Sequence, residues 1–373
     1  MSLKVLIAPQ EFKGTLTAPE AAQAIMRGFK GIHEQARIDV VPIADGGGGT
    51  VDVLLSAGEG EERFSDVTDA LGRPVKARWA LLDAGKTAII EMASASGLGL
   101  LKKSELDPMS AHTYGTGELI RAALDAGATR ILVGAGGSAT CDGGVGAVSA
   151  LGIAFLDEKG AHLPLGPKHL ERLAKVDRSG LDPRLAAVQL EVLTDVRNPL
   201  LGDEGTARIY GPQKGADDDD VERLDSLLEH LARVGREGSD EAHEQEAGAG
   251  SAGGLAFGLR AFCNARLRRG FDVISDALGL FAMVNECDLV ITGEGQLDLQ
   301  SAYFKGPYAL GRLARMQKKR VVLFAGSMIG GSSGVRDAFD EVVVVGKGSV
   351  PDPAKAARLL EEAVSRWAIR QSK

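Results

Sequence analysis

Cysteine is scarce in this chain: Cys141, Cys263 and Cys287 are scattered through 373 residues, with no Cys-x-x-Cys pair. They are expected to be reduced packing residues of a cytoplasmic protein. No apolar run is long enough to span a membrane, and the N-terminus has no signal-peptide h-region. Positive charge is in deficit, 43 basic against 51 acidic residues for a formal charge of −8, which argues against nucleic-acid and anionic-membrane partners. The Gly-x-x-x-x-Gly-Lys-[Ser/Thr] phosphate loop is missing, since Lys13-Gly14-Thr15 has no upstream glycine, and so is the protein-kinase motif set.

What is abundant is glycine, 49 residues of it, in an otherwise ordinary globular composition. The length suits two domains. Lys4–Ala8 reads as a buried strand, 19–29 as a helix opened by Pro19, Ile38–Ile43 as a second strand and Val51–Ala57 as a second helix, the start of a parallel sheet covered by helices. Residues 64–92 change character, with alternating stretches broken by Gly72-Arg73-Pro74 and Asp83-Ala84-Gly85, and predict antiparallel hairpins. A helix over 117–126, a strand over 130–133 and a helix ending near Ala150 follow. Asp217–Asp220 opens a helix running to about Gly235. Four acids in a first turn suit the helix dipole, so this run is read as a cap rather than a metal site. Residues 237–250 lack apolar periodicity and predict an exposed loop. Strands over 287–292, 320–325 and 341–345 and a helix after Pro353 return to the opening pattern. The expected architecture is α/β: a doubly wound domain built from both termini, 1–60 and 285–373, with a mixed α/β domain, 61–284, inserted. The site is expected at strand C-ends, in the cleft between the domains.

The stretch Val133–Ala147, VGAGGSATCDGGVGA, carries most of the functional signal. Small residues after a strand let another group approach the backbone. A phosphate on free N–H groups is the functional reading, and a packed turn is the plain one. Gly134-Ala-Gly136-Gly-Ser-Ala139 also fits a dinucleotide fingerprint, with Asp157 about twenty residues on as a ribose acid. Against a nicotinamide site stand Ser138, Thr140 and Asp142, because hydroxyls and a carboxylate suit Mg²⁺ beside a nucleoside triphosphate. Gly248–Gly253 matches the fingerprint as well, but an acidic loop precedes it rather than a strand, so it is discounted.

Other loops point the same way. Lys13, after the first strand, suits phosphate or a substrate carboxylate, although a surface lysine is the plain reading. Asp45 in PIADGG is a metal ligand, a base or simply a turn residue. EMASASG, with Ser94 and Ser96, and TYGTGE, with Thr113, Gly115 and Thr116, offer hydroxyls and N–H groups to a small anion. Asp195 in TDVRNP has the character of a base beside a substrate hydroxyl, with Asn198 as a metal or substrate ligand. GPQKG adds Lys214, and ITGEGQLD adds the carboxylates Glu294 and Asp298.

Taken in order, VLIAPQEFKGTLTA, VPIADGGGGT, AIIEMASASGL, TYGTGELIRAALDAGA, GAGGSATCDGGVGA, TDVRNPLLG, GPQKGA and ITGEGQLDLQS resemble the bacterial glycerate kinase family of the glyoxylate and glucarate pathways. The resemblance implies ATP- and Mg²⁺-dependent phosphorylation of a glycerate hydroxyl by two α/β domains, one of them flavodoxin-like. On that basis Asp195, Asp45 and Lys13 are the expected catalytic residues. Ser94, Ser96, Thr113, Gly115, Thr116 and Asn198 would hold glycerate. Gly136, Gly137, Ser138, Thr140, Lys214, Glu294 and Lys305 would hold ATP, and Asp142 and Asp298 the metal. A homodimer is the assembly this reading allows. The chain departs from the family pattern where Gln10 and Glu11 replace Asp-Ser, Gly48 replaces Glu, Gln296 replaces Arg and Phe304 replaces Gly. These changes leave two alternatives open: a kinase for another small hydroxy acid, and a ligand-binding relative with little turnover.

Overall fold

The computed structural model describes residues 2–58, 60–236, 241–297, 306–329, 337–346 and 352–371. The strands in chain order are β1 (Lys4–Ile7), β2 (Arg37–Val40), β3 (Gly60–Thr68), β4 (Pro74–Leu82), β5 (Thr87–Glu91), β6 (Arg130–Gly134), β7 (Ala154–Leu156), β8 (Lys175–Asp177), β9 (Gln189–Leu193), β10 (Arg266–Arg268), β11 (Leu289–Leu297), β12 (Arg320–Met328) and β13 (Glu341–Val344). The chain divides into two compact units, one of 1–45, 52–58 and 270–373, the other of 46–51 and 59–269. The sequence reading drew the second junction at 285. In the structure the two short helices Gly270–Leu278 and Leu280–Glu286 belong with the terminal unit.

The terminal unit is a five-stranded sheet in the order β13-β12-β11-β1-β2, parallel throughout. Counted within the unit this is the flavodoxin-like order, and its switch point lies between β1 and β11. The continuous apolar runs predicted such strands, because both faces are covered. On one face Val5, Ile7, Ile291, Val322 and Phe324 pack under the helices Ala18–Lys30 and Pro353–Gln371, with Ile25, Phe29, Leu360 and Trp367. The first helix starts at a capping box in which Thr17 and Glu20 satisfy each other's backbone N–H groups. It lies against the last helix across Gly28, where a Cβ would stand 2.4 Å from Glu361 O. The helix Gly306–Met316 packs on β11 and β12.

The inserted unit carries a six-stranded mixed sheet, β10-β9-β6-β5-β4-β3. The strands β10, β9, β6 and β5 are mutually parallel, and β4 and β3 add the antiparallel hairpin that the alternating pattern predicted. A short β7–β8 pair stands apart. The acidic run is a helix start, as expected: Asp217 caps Asp218–Gly235 by accepting from Asp220 N at 2.9 Å. The exposed loop expected after that helix needs correction. Glu244, Gly248, Ala249 and Gly250 are buried, with Leu200 N donating to Glu244 O and Gly250 N to Asn198 O. Its buried part is mostly backbone and small residues, which leave no apolar period to read. Among the described residues no helix is long and apolar enough to cross a membrane.

Candidate functional site

In the inserted unit β5, β6 and β9 run parallel, so the loops 91–97, 134–144 and 194–200 all leave the same edge of the sheet. The glycine-rich stretch is the central one, and most of it is interior: Gly137 is exposed, Gly136 is half-buried, and every other residue from Val133 to Ala147 is buried. Backbone meets backbone around it. A Cβ on Gly134 would lie 2.4 Å from Gly46 O, and one on Gly136 would lie 2.6 Å from the Gly47 Cα. On another side the Ser251–Cys263 helix opens with Ala252, Gly253 and Gly254 in left-handed conformation. A Cβ on Gly253 would fall 1.7 Å from Thr140 O. The plain reading, a packed turn, therefore accounts for most of these glycines. Gly136 and Gly137 alone combine small size with access.

The polar residues of the stretch are largely consumed by the fold. Lys214, 2 % exposed, donates from Nζ to Ser138 Oγ at 2.9 Å and to Thr140 O at 2.7 Å. Burial pushes its ammonium below the ordinary lysine range, and burial likewise pushes the adjacent Cys141 thiol up. Thr140 Oγ1 is buried without a hydrogen-bond partner among the described residues. Asp142, 1 % exposed, is the hub of two loops. Its Oδ2 accepts from Thr113 N and Thr113 Oγ1, both at 2.8 Å, and from Gly146 N at 3.0 Å; its Oδ1 accepts from Gly144 N at 3.0 Å. Both oxygens of this carboxylate are thus engaged by donors at the starts of the Tyr114–Asp125 and Val145–Ala150 helices. Among the described residues no group of three or more His, Cys, Asp or Glu could hold a metal ion.

The residues expected to hold glycerate divide in the same way. Thr113 Oγ1 also accepts from Ala147 N at 2.9 Å, and the buried Ser96 and Thr116 hydroxyls bond each other at 2.9 Å. Gly115 is a close-approach position, where a Cβ would lie 1.8 Å from Thr68 O. Ser94 is half-buried and donates to Glu91 O at 2.8 Å. After β9, Asp195 is half-buried, while the Asn198 amide is engaged at both ends, giving Nδ2 to Glu204 O at 2.8 Å and accepting from Tyr210 OH at 2.7 Å. Burial raises the Tyr210 hydroxyl, which keeps it a donor. Sequence reasoning passed over Arg197, which is exposed and has no ion-pair partner among the described residues. Its place in TDVRNP, between the two residues singled out there, was the signal.

The terminal unit, described by itself, carries a set of its own near the C-terminal ends of β1 and β11. Gln10 N donates to Gly293 O at 2.9 Å, tying the loop after β1 to β11. Lys13 is exposed, and its backbone passes so close to Gly295 that a Cβ there would lie 2.8 Å from Lys13 N. Glu294 is buried on β11. Asp45 is half-buried and accepts from Gln10 Nε2 at 2.8 Å. Asp298, Lys305 and Phe304 lie outside the described residues.

The dinucleotide alternative finds no support in this geometry. Asp157 is a turn residue that accepts from Lys159 N and Ala161 N, both at 2.9 Å, and these bonds, the one to Ala161 first, hold its carboxyl below the usual range. Ten residues separate the end of β6 from the next helix, so the fingerprint lacks the tight strand–turn–helix it requires.

The profile of the glycerate kinase family matches residues 5–369. The chain is 45 % identical over 326 residues to glycerate 2-kinase of Escherichia coli K12, covering 87 % of this chain and 86 % of that one. It is 43 % identical over 350 residues to glycerate kinase of Bacillus subtilis 168, covering 94 % and 92 %. A crystal structure of a glycerate kinase 2 candidate from Salmonella typhimurium LT2 superposes with a TM-score of 0.88 at 39 % identity, covering 100 % of this chain and 99 % of that one. The chain belongs to the glycerate kinase family.

Proposed function

We propose that the protein transfers a phosphoryl group from ATP to the 2-hydroxyl of D-glycerate. The observation that carries this reading is a family match spanning the chain, with Lys13, Asp45 and Asp195 in the segments that follow β1, β2 and β9 and Glu294 near the end of β11. The relative at 45 % identity is named for the 2-position. Phosphoryl transfer asks mainly for positioning and charge neutralisation, which loops of amides, hydroxyls and cations supply. In this reading Asp195 takes the hydroxyl proton, with Asp45 as the second choice. Lys13 neutralises phosphate, with Lys305 assigned the same task from sequence. Gly136 and Gly137 offer N–H groups to phosphate oxygens, and Glu294 serves the nucleotide. Ser94 and Arg197 meet glycerate, the guanidinium pairing with its carboxylate.

Ser96, Thr113, Thr116, Asn198, Ser138, Thr140, Lys214 and Asp142 form the frame that holds these groups. Mg²⁺ bound through nucleotide oxygens needs only one or two carboxylates from the protein, so it needs no preformed cage. It would supply charge neutralisation on the phosphates, and Asp298 is the carboxylate we assign to it. We take the enzyme to be cytoplasmic and, if it associates, a homodimer.

The test is ATP consumption with Mg²⁺ and D-glycerate, the product resolved by phosphorus NMR, for wild type and Asp195→Asn. The expected result is 2-phosphoglycerate from the wild type and a kcat lower by about 10²–10⁴ in a normally folded variant. Saturable ATP binding with no phosphoglycerate would overturn the assignment and turn attention to other hydroxy acids.

A further inference from the structure

Gln10 occupies a singular place in the terminal unit. Its backbone is bound to β11 through Gly293 O, and its side chain reaches Asp45, the residue after which the chain first leaves this unit, with an Nε2···Oδ2 distance of 2.8 Å. The other end of the amide is confined as well. Gly306 opens the helix Gly306–Met316, and a Cβ there would stand 2.9 Å from Gln10 Oε1. The orientation of the amide is dictated by chemistry, because only the NH₂ side can donate to a carboxylate. Both contacts are made at the end of the sheet where the strand order reverses, the place where ligands of this architecture bind.

We propose that Gln10 is a positioning residue that fixes the plane of the Asp45 carboxylate for phosphoryl transfer. The inference rests on the second choice named above, in which Asp45 takes part in the reaction. A neutral donor stands here where the family pattern has an acid. With Asp or Glu at position 10 two carboxylates would meet within hydrogen-bond distance, and one would have to take up a proton or a cation. The amide leaves a single negative charge and removes a rotational freedom from it. Misplacement of a reacting group by about 1 Å costs on the order of 10² in rate, so a residue that never touches substrate can govern turnover.

The test measures kcat, KM for ATP and for D-glycerate, and Tm for Gln10→Ala, Gln10→Glu, Asp45→Asn and the double variants Gln10→Ala/Asp45→Asn and Gln10→Glu/Asp45→Asn. Gln10→Glu is nearly isosteric and replaces the donor with an acceptor, which guards against a packing artefact in Gln10→Ala. The expected result is a kcat about 10–100-fold lower for both single Gln10 variants, with KM and Tm near wild type. In the Asp45→Asn background a change at Gln10 should cost less than about 2-fold more, because the two side chains act as one unit. Asp45→Asn at the wild-type rate would overturn the role of Asp45 and the inference with it. An impaired Asp45→Asn beside wild-type Gln10 variants would overturn the inference alone. Losses at Gln10 that appear only in KM, only in Tm, or undiminished in the double variants would also overturn it.

Discussion

Asp142 separates a scaffold carboxylate from a metal ligand, and Asp142→Asn puts the distinction to experiment. In the variant the amide oxygen can keep the place of Oδ2, which takes three donors, and the NH₂ then faces Gly144 N, which had donated to Oδ1. One buried N–H is left without an acceptor, at about 1–3 kcal/mol, and three charge-assisted bonds become neutral ones of roughly half the strength. Relief from burying a charge offsets part of this, so the net loss is about 2–4 kcal/mol. For a folding unit of about 150–250 residues, each kcal/mol moves Tm by about 2–4 °C, so the drop should be on the order of 5–15 °C. The assay is thermal unfolding by circular dichroism beside a Mg²⁺ titration of activity. The expected outcome is a lower Tm and an unchanged Mg²⁺ requirement. An unchanged Tm with a raised Mg²⁺ requirement would refute the assignment and return Asp142 to the metal.

Two further perturbations test the frame around it. Gly253→Ala adds a Cβ 1.7 Å from Thr140 O at a φ of +69°, and should cost more than about 4 kcal/mol or abolish folding; Gly127→Ala, at φ +83° with open space around it, should cost about 1 kcal/mol, and equal losses in urea unfolding would refute the packing argument. Lys214 gives a pH signature. Its native pKa is depressed by burial, so between that value and about 10.5 the unfolded chain binds more protons and native stability rises with pH; the stability difference between wild type and Lys214→Met should therefore grow through this window, and a flat difference would show that the ammonium is not desolvated.

How far the sequence could be read depended on where the information lay. Parallel strands covered on both faces advertise themselves as apolar runs, and Lys4–Ile7, Arg130–Gly134 and Arg320–Met328 appeared where expected. The Thr17 capping box and the Asp217 cap are local, and local chemistry is legible. The glycine-rich stretch showed the limit. Its residue types suit a phosphate cradle and a close-packed crossing equally well, and only the partners Gly46, Gly47 and Gly253, distant in sequence, decide that packing claims most of it. The bonds that engage Asp142, Thr113 and Lys214 were not legible in the sequence, because their acceptors and donors come from other segments. Gln10 registered only as a departure from a pattern. Its bond to Asp45 depends on two loops meeting at a strand-order reversal, which no local window contains.

The terminal unit is assembled from both ends of the polypeptide, and this constrains how the protein is made. β1 lies between β2 and β11, and the helix Ala18–Lys30 is covered by the last helix of the chain. A ribosome releases β1 and β2 early, but β11, which pairs with the other edge of β1, follows only after the whole inserted unit, a delay on the order of 15–60 s at about 5–20 residues per second. In that interval the inserted unit, nearly contiguous in sequence, has everything it needs to fold, while the N-terminal segment holds an apolar strand edge and the greasy side of a helix with nothing to cover them. Nascent chains stalled before Leu289 should therefore recruit chaperones at their first fifty or so residues, and a circular permutant opened in the inserted unit would relieve that dependence.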